Sequence, residues 1–287
     1  MSNQPAGLDP QQYKANTREQ WNQSGGGYNA WGNTIDQIIS ESCTRMLEQA
    51  AVSQGQSVLE LAAGSGVLTQ RLASMVGDQG KVMATDLSPG ILEYTKENIK
   101  AKGYHNVETR TMDAEEMDVP EASYDAVLSS LGLMFVPDSL KSLQGQHKAV
   151  KEGGKVGALV IGPPDKNPFF SIPAKVIMER AKIPPPQPGA PGPFALGAPG
   201  LLQGKFEEAG FRDVTSEVFG GHLELSSIAE HLRFLGEAFG ALHMMMKAMD
   251  ESEKKATWEA VTEALHPFEG PDGFKCPYEL VMCVGTR

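Results

Sequence analysis

One stretch constrains this chain more than any other: an apolar strand that runs directly into small residues and then into a helix. Val58-Leu59-Glu60-Leu61-Ala62-Ala63-Gly64-Ser65-Gly66 carries that transition, and a helical period opens at Val67. Small residues let a ligand come close to the backbone, and the first turn of the following helix presents unpaired N–H groups. Turns of this kind lie at the carboxyl edge of the sheet in nucleotide-binding α/β proteins.

The residues around the turn narrow the ligand. A dinucleotide fingerprint needs a third glycine, but Gly64 and Gly66 are followed by Val67, Leu68 and Thr69; a phosphate loop of the G-x-x-x-x-G-K type is absent from the sequence. Glu60, inside the end of the strand, disfavours a pyrophosphate and favours a ligand carrying positive charge. S-adenosyl-L-methionine, with its ammonium and sulfonium and no phosphate, fits that electrostatic requirement. Asp86 closes the next apolar run, Val82 to Leu87, 26 positions after Glu60. There a carboxylate can accept charge-assisted hydrogen bonds from both ribose hydroxyls. Asp113 closes the third run and can accept from an adenine amino group. One acid alone could cap a turn; three at three successive strand ends, in this order, point to a site.

The rest of the chain supplies the scaffold. Alternating patterns predict strands over 57–62, 81–85, 107–111, 124–129 and 155–161. Helices are expected over 67–75, 91–102 and 140–150, so the fold class is α/β with a doubly wound, mostly parallel sheet. A helical period over 35–52 precedes the first strand, behind a polar lead-in over 1–30. After 161 the pattern breaks: six of the 19 prolines fall within 183–193, which excludes regular helix there and suggests a linker or a lid. Helices over 201–208, 227–249 (opened by a Ser227/Glu230 capping box) and 253–265, with strands over 214–219 and 278–284, bring the sheet to seven strands with helical insertions in the C-terminal half. The expected organisation is one continuous domain: 1–56 as a helical cover, 57–162 as the cofactor-binding core, and 163–287 as the rest of the sheet with the proline-rich loop and a helical cap.

Composition limits the partners. The 287 residues suffice for a full core; the net charge of −11 opposes a nucleic-acid backbone. Cys43, Cys276 and Cys283 are scattered, with no zinc-finger spacing, so neither a disulfide framework nor a metal site is expected, and a reducing, cytoplasmic compartment fits best. The N-terminus is polar, without the apolar core of a secretion signal. The longest apolar run, 156–161, is too short to cross a membrane. Oligomeric state leaves no mark on the sequence.

These features resemble class I S-adenosylmethionine-dependent methyltransferases, in particular the small-molecule branch typified by ubiquinone/menaquinone C-methyltransferases. The likeness is carried by Glu60, Ala62, Gly64 and Gly66 on the E/D-x-G-x-G-x-G loop, with Ala62 in place of the first glycine. It continues in S-Y-D-A-V-L-S-S at 123–130 and V-K-E-G-G-K at 150–155, and covers residues 21–164 well. The resemblance implies a Rossmann-like methyltransferase fold and the cofactor S-adenosyl-L-methionine. It implies that Asp86 meets the ribose and Leu87 the adenine ring, with Asp113 and the Ala114 N–H reading the adenine edge. It also implies that the 123–130 strand leads into the substrate cleft, with Ser129 on it among the cofactor-binding residues. The acceptor is expected to be a small molecule with an oxygen, nitrogen, sulfur or carbon nucleophile.

For the acceptor side, the apolar stretch Gly132-Leu133-Met134-Phe135 is the expected floor, with Tyr28 above it. Trp21 and Trp31 either close over the cofactor or anchor the N-terminal helix. If the acceptor needs a general base, His222, His231 and His243 are the candidates, His222 first because it closely follows a strand. Met244, Met245, Met246 and Met249 are either acceptor-site lining or ordinary core. Two other readings stay open on the residues alone: a nicotinamide-dependent oxidoreductase and a non-catalytic adenosylmethionine-binding protein.

Overall fold

The computed structural model describes residues 9–287; the first eight residues of the polar lead-in lie outside them. A single sheet organises the chain. Its strands are β1 (Ser57–Leu61), β2 (Lys81–Asp86), β3 (Val107–Thr111), β4 (Tyr124–Ser130), β5 (Val150–Ile161), β6 (Arg212–Leu225) and β8 (Gly273–Thr286), in the order β3-β2-β1-β4-β5-β8-β6. β1 to β5 pair in parallel; β8 runs antiparallel between β5 and β6. A two-residue strand, β7 (Glu269–Gly270), folds back on β8. The expected seven-stranded, mostly parallel α/β sheet is therefore present.

The order reverses between β1 and β4. The chain winds outward from β1 to β3 on one side and from β4 to β5 on the other. That switch point opens a crevice at the carboxyl ends of the central strands, where α/β proteins bind ligands. The central strands are buried on both faces: Val58, Leu59, Ala126, Val127, Leu128, Ala158 and Leu159 have no exposed surface. This is why their sequences read as continuous apolar runs.

The covering helices are α1 (Pro10–Ala30), α2 (Gly32–Gln49), α3 (Val67–Val76), α4 (Pro89–Ala101), α5 (Ser139–Ala149), α6 (Pro168–Ala181), α7 (Leu201–Glu208), α8 (Ile228–Ala238), α9 (Gly240–Met245) and α10 (Glu251–Leu265). Their starts follow ordinary capping chemistry. Asp9 accepts from the N–H groups of Gln11 and Gln12 ahead of α1, and Ser88 accepts from Ile91 ahead of α4, each with proline in the first turn. Asp250 and Glu253 form a reciprocal capping box on α10.

Three elements depart from the sequence expectation. From Pro10 the lead-in is a 21-residue helix, and Gly25-Gly26-Gly27 lies inside it. The three glycines let α1 cross its neighbours closely. A Cβ on Gly25 would press on Ile91 and Tyr94 of α4, and one on Gly27 would overlap the Glu237 carbonyl of α8. α6 was not expected, because Pro168 and Pro173 obscure its period. Pro168 sits harmlessly in the first turn, whereas Pro173 leaves the Phe169 carbonyl without its usual donor. His231 Nε2 donates to that carbonyl at 2.8 Å. The helix expected over 227–249 breaks at Phe239 into α8 and α9. Ser227 caps α8 through Glu230 N, but the Glu230 carboxylate reaches back to Ser226 rather than closing the box.

Candidate functional site

A deep cavity opens at the switch point. Its floor is the strand ends: Leu61, Ala62 and Gly64 after β1, Thr85, Asp86 and Leu87 at β2, Met112, Asp113 and Ala114 after β3, and Ser130, Leu131 and Gly132 at β4. α1 forms the roof with Tyr13, Lys14, Thr17, Trp21 and Tyr28.

The turn after β1 is held in a geometry that few residues accept. Ala62, Gly64 and Gly66 all have left-handed backbones (φ 55°, 59° and 90°), and so does Leu131 after β4 (φ 56°). Ala62 stands where the resembling loop has glycine, and it carries a strain on the order of 1 kcal/mol that glycine would avoid. Left-handed non-glycine residues at the ends of two adjacent strands are the kind of strain that clusters at binding sites. Gly132 is required next to them, because a Cβ there would overlap Ala62.

Asp86 locks the turn to β2. Its Oδ2 accepts from Gly64 N at 3.0 Å and its Oδ1 from Ser88 N at 2.9 Å. Burial pushes its carboxyl up to about 6, against the lowering effect of those backbone donors. No cationic side chain pairs with it among the described residues, so a buried carboxylate faces the cavity with acceptor capacity to spare. Glu60 is placed differently from the expectation. Its carboxyl turns beneath the loop, where Thr69 Oγ1 donates to it at 2.6 Å, and it does not line the cavity. Burial raises it to about 8, with the charge of Asp86 adding to the shift, so it is mostly neutral at pH 7.

Asp113 does line the cavity, but the sequence reading missed its partner. Lys14 Nζ on α1 lies 2.8 Å from Asp113 Oδ2 and 2.6 Å from Glu115 Oε2, and Glu115 also accepts from Asp138 N at 2.8 Å. This ion-paired triad ties the roof to the end of β3. Arg18 Nε donates to the Leu87 carbonyl, while Asn22 Oδ1 accepts from Ser88 Oγ and Gly90 N, so α1 is also tied to the turn after β2.

Farther from the turns, the cavity becomes wholly apolar. Ile35 and Ile38 of α2, Met134 and Phe135, Ile161, Phe169 and Phe170 of α6, Pro193, Phe234, Phe239 and Leu280 enclose it. Pro193 belongs to the proline-rich loop, which is tied down next to it by Gly192 N donating to the Met134 carbonyl at 2.9 Å. Phe239, at the break between α8 and α9, packs edge-to-face on Phe170 (5.2 Å) and Phe234 (5.3 Å).

Of the residues expected at the site, Ala62, Gly64, Asp86, Leu87, Asp113, Ala114, Tyr28, Met134 and Phe135 come together around this cavity; Glu60, Gly66, Ser129 and His222 do not. Gly66 caps α3 behind the turn, and Ser129 is buried in β4 one residue short of the lining Ser130. His222 is exposed on β6, outside the cavity, because its position in the β6–β8 pairing opposite Pro277 directs it to the far edge of the sheet. His231 is fully buried, stacked on Phe274 and pushed down to about 4, which fits its structural bond to Phe169. His243 bonds to the Gly236 carbonyl. Trp31 is an anchor: its Nε1 donates to Glu237 at 2.7 Å and Arg233 lies over its ring. None of Met244, Met245, Met246 and Met249 reaches the cavity. Among the described residues no cluster could hold a metal ion, and no helix is long and apolar enough to cross a membrane.

Comparison with known proteins agrees with this architecture. Residues 38–175 match the ubiE/COQ5 methyltransferase family. The chain is similar to the ubiquinone/menaquinone biosynthesis C-methyltransferase UbiE of Coxiella burnetii, at 30% identity over 127 residues, which is 44% of this chain and 51% of that protein. It thus spans about half the length of the curated relatives it matches. Among solved structures, a candidate methyltransferase from Bacillus halodurans C-125 superposes with a TM-score of 0.59 at 18% identity, over 86% of this chain and 98% of the other. Haemonchus contortus phosphoethanolamine N-methyltransferase 2, solved with S-adenosyl-L-methionine, gives 0.55 at 16% identity, over 90% of this chain and 57% of the other. At these identities the likeness shows the fold, and the fold is the Rossmann-like one of S-adenosylmethionine-dependent methyltransferases.

Proposed function

We propose that this chain, whose residues 38–175 match the ubiE/COQ5 methyltransferase family, transfers a methyl group from S-adenosyl-L-methionine to an apolar small-molecule acceptor by in-line displacement. The observation that carries the reading is Asp86: a buried carboxylate with no cationic partner among the described residues, beside a left-handed glycine turn at the switch point.

The residues present fit the cofactor. Asp86 would accept from the ribose hydroxyls, and Leu87, Met112 and Ala114 supply apolar surface for the adenine, with Asp113 at its edge. Gly64 leaves room for the methionine portion above the turn. Glu60 acts one layer below, holding the loop through Thr69. The cofactor supplies an electrophilic methyl group; its C–S bond breaks as the acceptor's electron pair forms the new bond, and the sulfur keeps the released pair.

The protein's part is mainly positioning, which can supply several kcal/mol of the barrier. No titratable side chain lines the apolar end among the described residues. An acceptor bound there must already be nucleophilic, or carry its own base or bring water to do that work. The net charge of −11 supports a small molecule over a nucleic acid. The three stretches of one continuous domain share the work: 1–56 supplies the roof and, through Ile35 and Ile38, part of the apolar end; 57–162 supplies the cofactor floor with Met134, Phe135 and Ile161; and 163–287 supplies the rest of the acceptor wall.

Calorimetry with S-adenosylhomocysteine tests the reading, and micromolar or tighter binding is expected. Binding of NAD without S-adenosylhomocysteine would overturn it in favour of an oxidoreductase. Tight cofactor binding with no methyl transfer to any of a panel of apolar phenols, quinols, thiols and amines would leave a binding protein instead.

A further inference from the structure

Three aromatic rings stand where the polar end of the cavity gives way to the apolar end. Trp21 and Tyr28 of α1 meet edge-to-face with centroids 5.3 Å apart, and Trp21 meets Phe135 in the same manner at 6.2 Å. Tyr28 reaches the glycine turn, since a Cβ on Gly64 would lie 3.4 Å from its ring. Phe135 sits on the turn after β4, among the groups that enclose the apolar end. All three line the cavity, whereas their sequence neighbour Trp31 is buried and anchored to Glu237. Burial and the neighbouring Asp86 keep the Tyr28 hydroxyl protonated, so its ring is neutral.

A ligand fixed by its ribose at Asp86 and by its methionine portion over Gly64 must present its methyl group across this boundary to reach an acceptor beyond it. The sulfonium is then a cation leaving a polar site for an apolar one. The acids on the lining, Asp86 and Asp113, lie at the ribose and adenine end, and no carboxylate faces the acceptor side among the described residues. Aromatic faces carry a negative quadrupole and stabilise such a cation, more strongly where water is excluded.

We propose that Trp21, Tyr28 and Phe135 form an aromatic cage for the sulfonium and its methyl group. This rests on the adenosylmethionine reading and deepens it: the cage recognises the cationic cofactor by charge and loses its hold when methyl transfer leaves a neutral thioether. Substrate and product of the cofactor are thereby distinguished at an atom that hydrogen-bonding groups do not touch.

The test is calorimetry on the whole chain with three ligands: S-adenosyl-L-methionine, S-adenosylhomocysteine, and an analogue carrying a primary ammonium in place of the sulfonium. Trp21→Leu and Phe135→Leu should each weaken the two cations by roughly 5-fold more than the neutral thioether. Tyr28→Phe and Trp21→Tyr, which keep a ring face, should preserve the wild-type ratio of cation to thioether affinity. Equal weakening of all three ligands in the leucine variants would overturn the cage, showing that the rings only pack α1 onto the site. An unchanged ratio with unchanged affinities would overturn it as well. Should the wild-type chain bind none of the three, the cofactor reading falls and the cage falls with it.

Discussion

At one end of the cavity the walls are backbone turns at successive strand ends, with Gly64, Asp86 and Asp113 within a few residues of β1, β2 and β3. At the other end they are side chains, drawn from α2, the turn after β4, β5, α6, α8, the α8–α9 break, β8 and the proline-rich loop, with no titratable group among the described residues. The first end is fixed by the sheet, so its polar groups are preorganised and any change there acts directly on binding. The second is a packing surface whose members come from distant parts of the chain and can be exchanged for others of similar volume.

The sharpest way to break this contrast is at Asp86. Asp86→Asn keeps the shape and one acceptor oxygen but removes the charge, and it sets an amide group against the Gly64 or Ser88 N–H. The proposed pair of charge-assisted bonds to the ribose would be lost, so cofactor affinity should fall on the order of 100-fold by calorimetry. A fall of less than about 3-fold, with an unchanged melting temperature, would detach Asp86 from the cofactor. The pH dependence gives the same group a second, smaller signature. Burial pushes the Asp86 carboxyl up to about 6, and the proposed ribose contact needs the carboxylate. Affinity should therefore be full above pH 7 and decline as pH falls through 6, reaching roughly a tenfold loss at pH 5. Glu60, held protonated to about 8, stays mostly neutral across that window. The Asp86→Asn variant should show no such decline.

The apolar end responds in a different quantity. Phe239→Leu removes a ring packed between Phe170 and Phe234 while keeping the site apolar. Aromatic packing of about 1 kcal/mol predicts a rise in the acceptor's KM of roughly 5-fold. Cofactor affinity should remain at the wild-type value, and a parallel loss of cofactor affinity would show that the two ends are not separable.

The same contrast governs what could be read from the sequence. The central strands and the turn at Val58 to Gly66 were legible because a buried parallel strand is a continuous apolar run and its acids fall at fixed places beside it. Ala62 was legible as the substituted glycine, though only its left-handed backbone shows what the substitution costs. Lys14 was not legible. It pairs with Glu115 101 positions away, and nothing in a polar helix marks one lysine for burial. α1 and α6 were obscured by residues whose local preference opposes helix. Gly25 to Gly27 are there for a close crossing, and Pro173 is tolerated because His231 takes up the carbonyl it leaves unpartnered. In each case a contact between distant segments outweighs local propensity.

His222 marks where spacing alone misleads. A histidine near a strand end is a reasonable base when strand ends form the site, but that logic holds for the parallel strands β1 to β4. β6 is an antiparallel edge strand, and His222 pairs in register with Pro277 near its carboxyl end, exposed beside Glu224. No lining group of the apolar end is contributed by β6. His222→Ala should accordingly leave kcat, both KM values and the shape of the pH profile within about 2-fold of wild type, since substitutions away from the site and the core shift free energies by only a few tenths of a kcal/mol. A loss of tenfold or more in kcat, with cofactor affinity retained, would mean that β6 folds over the acceptor during turnover and that the apolar end is not without a base.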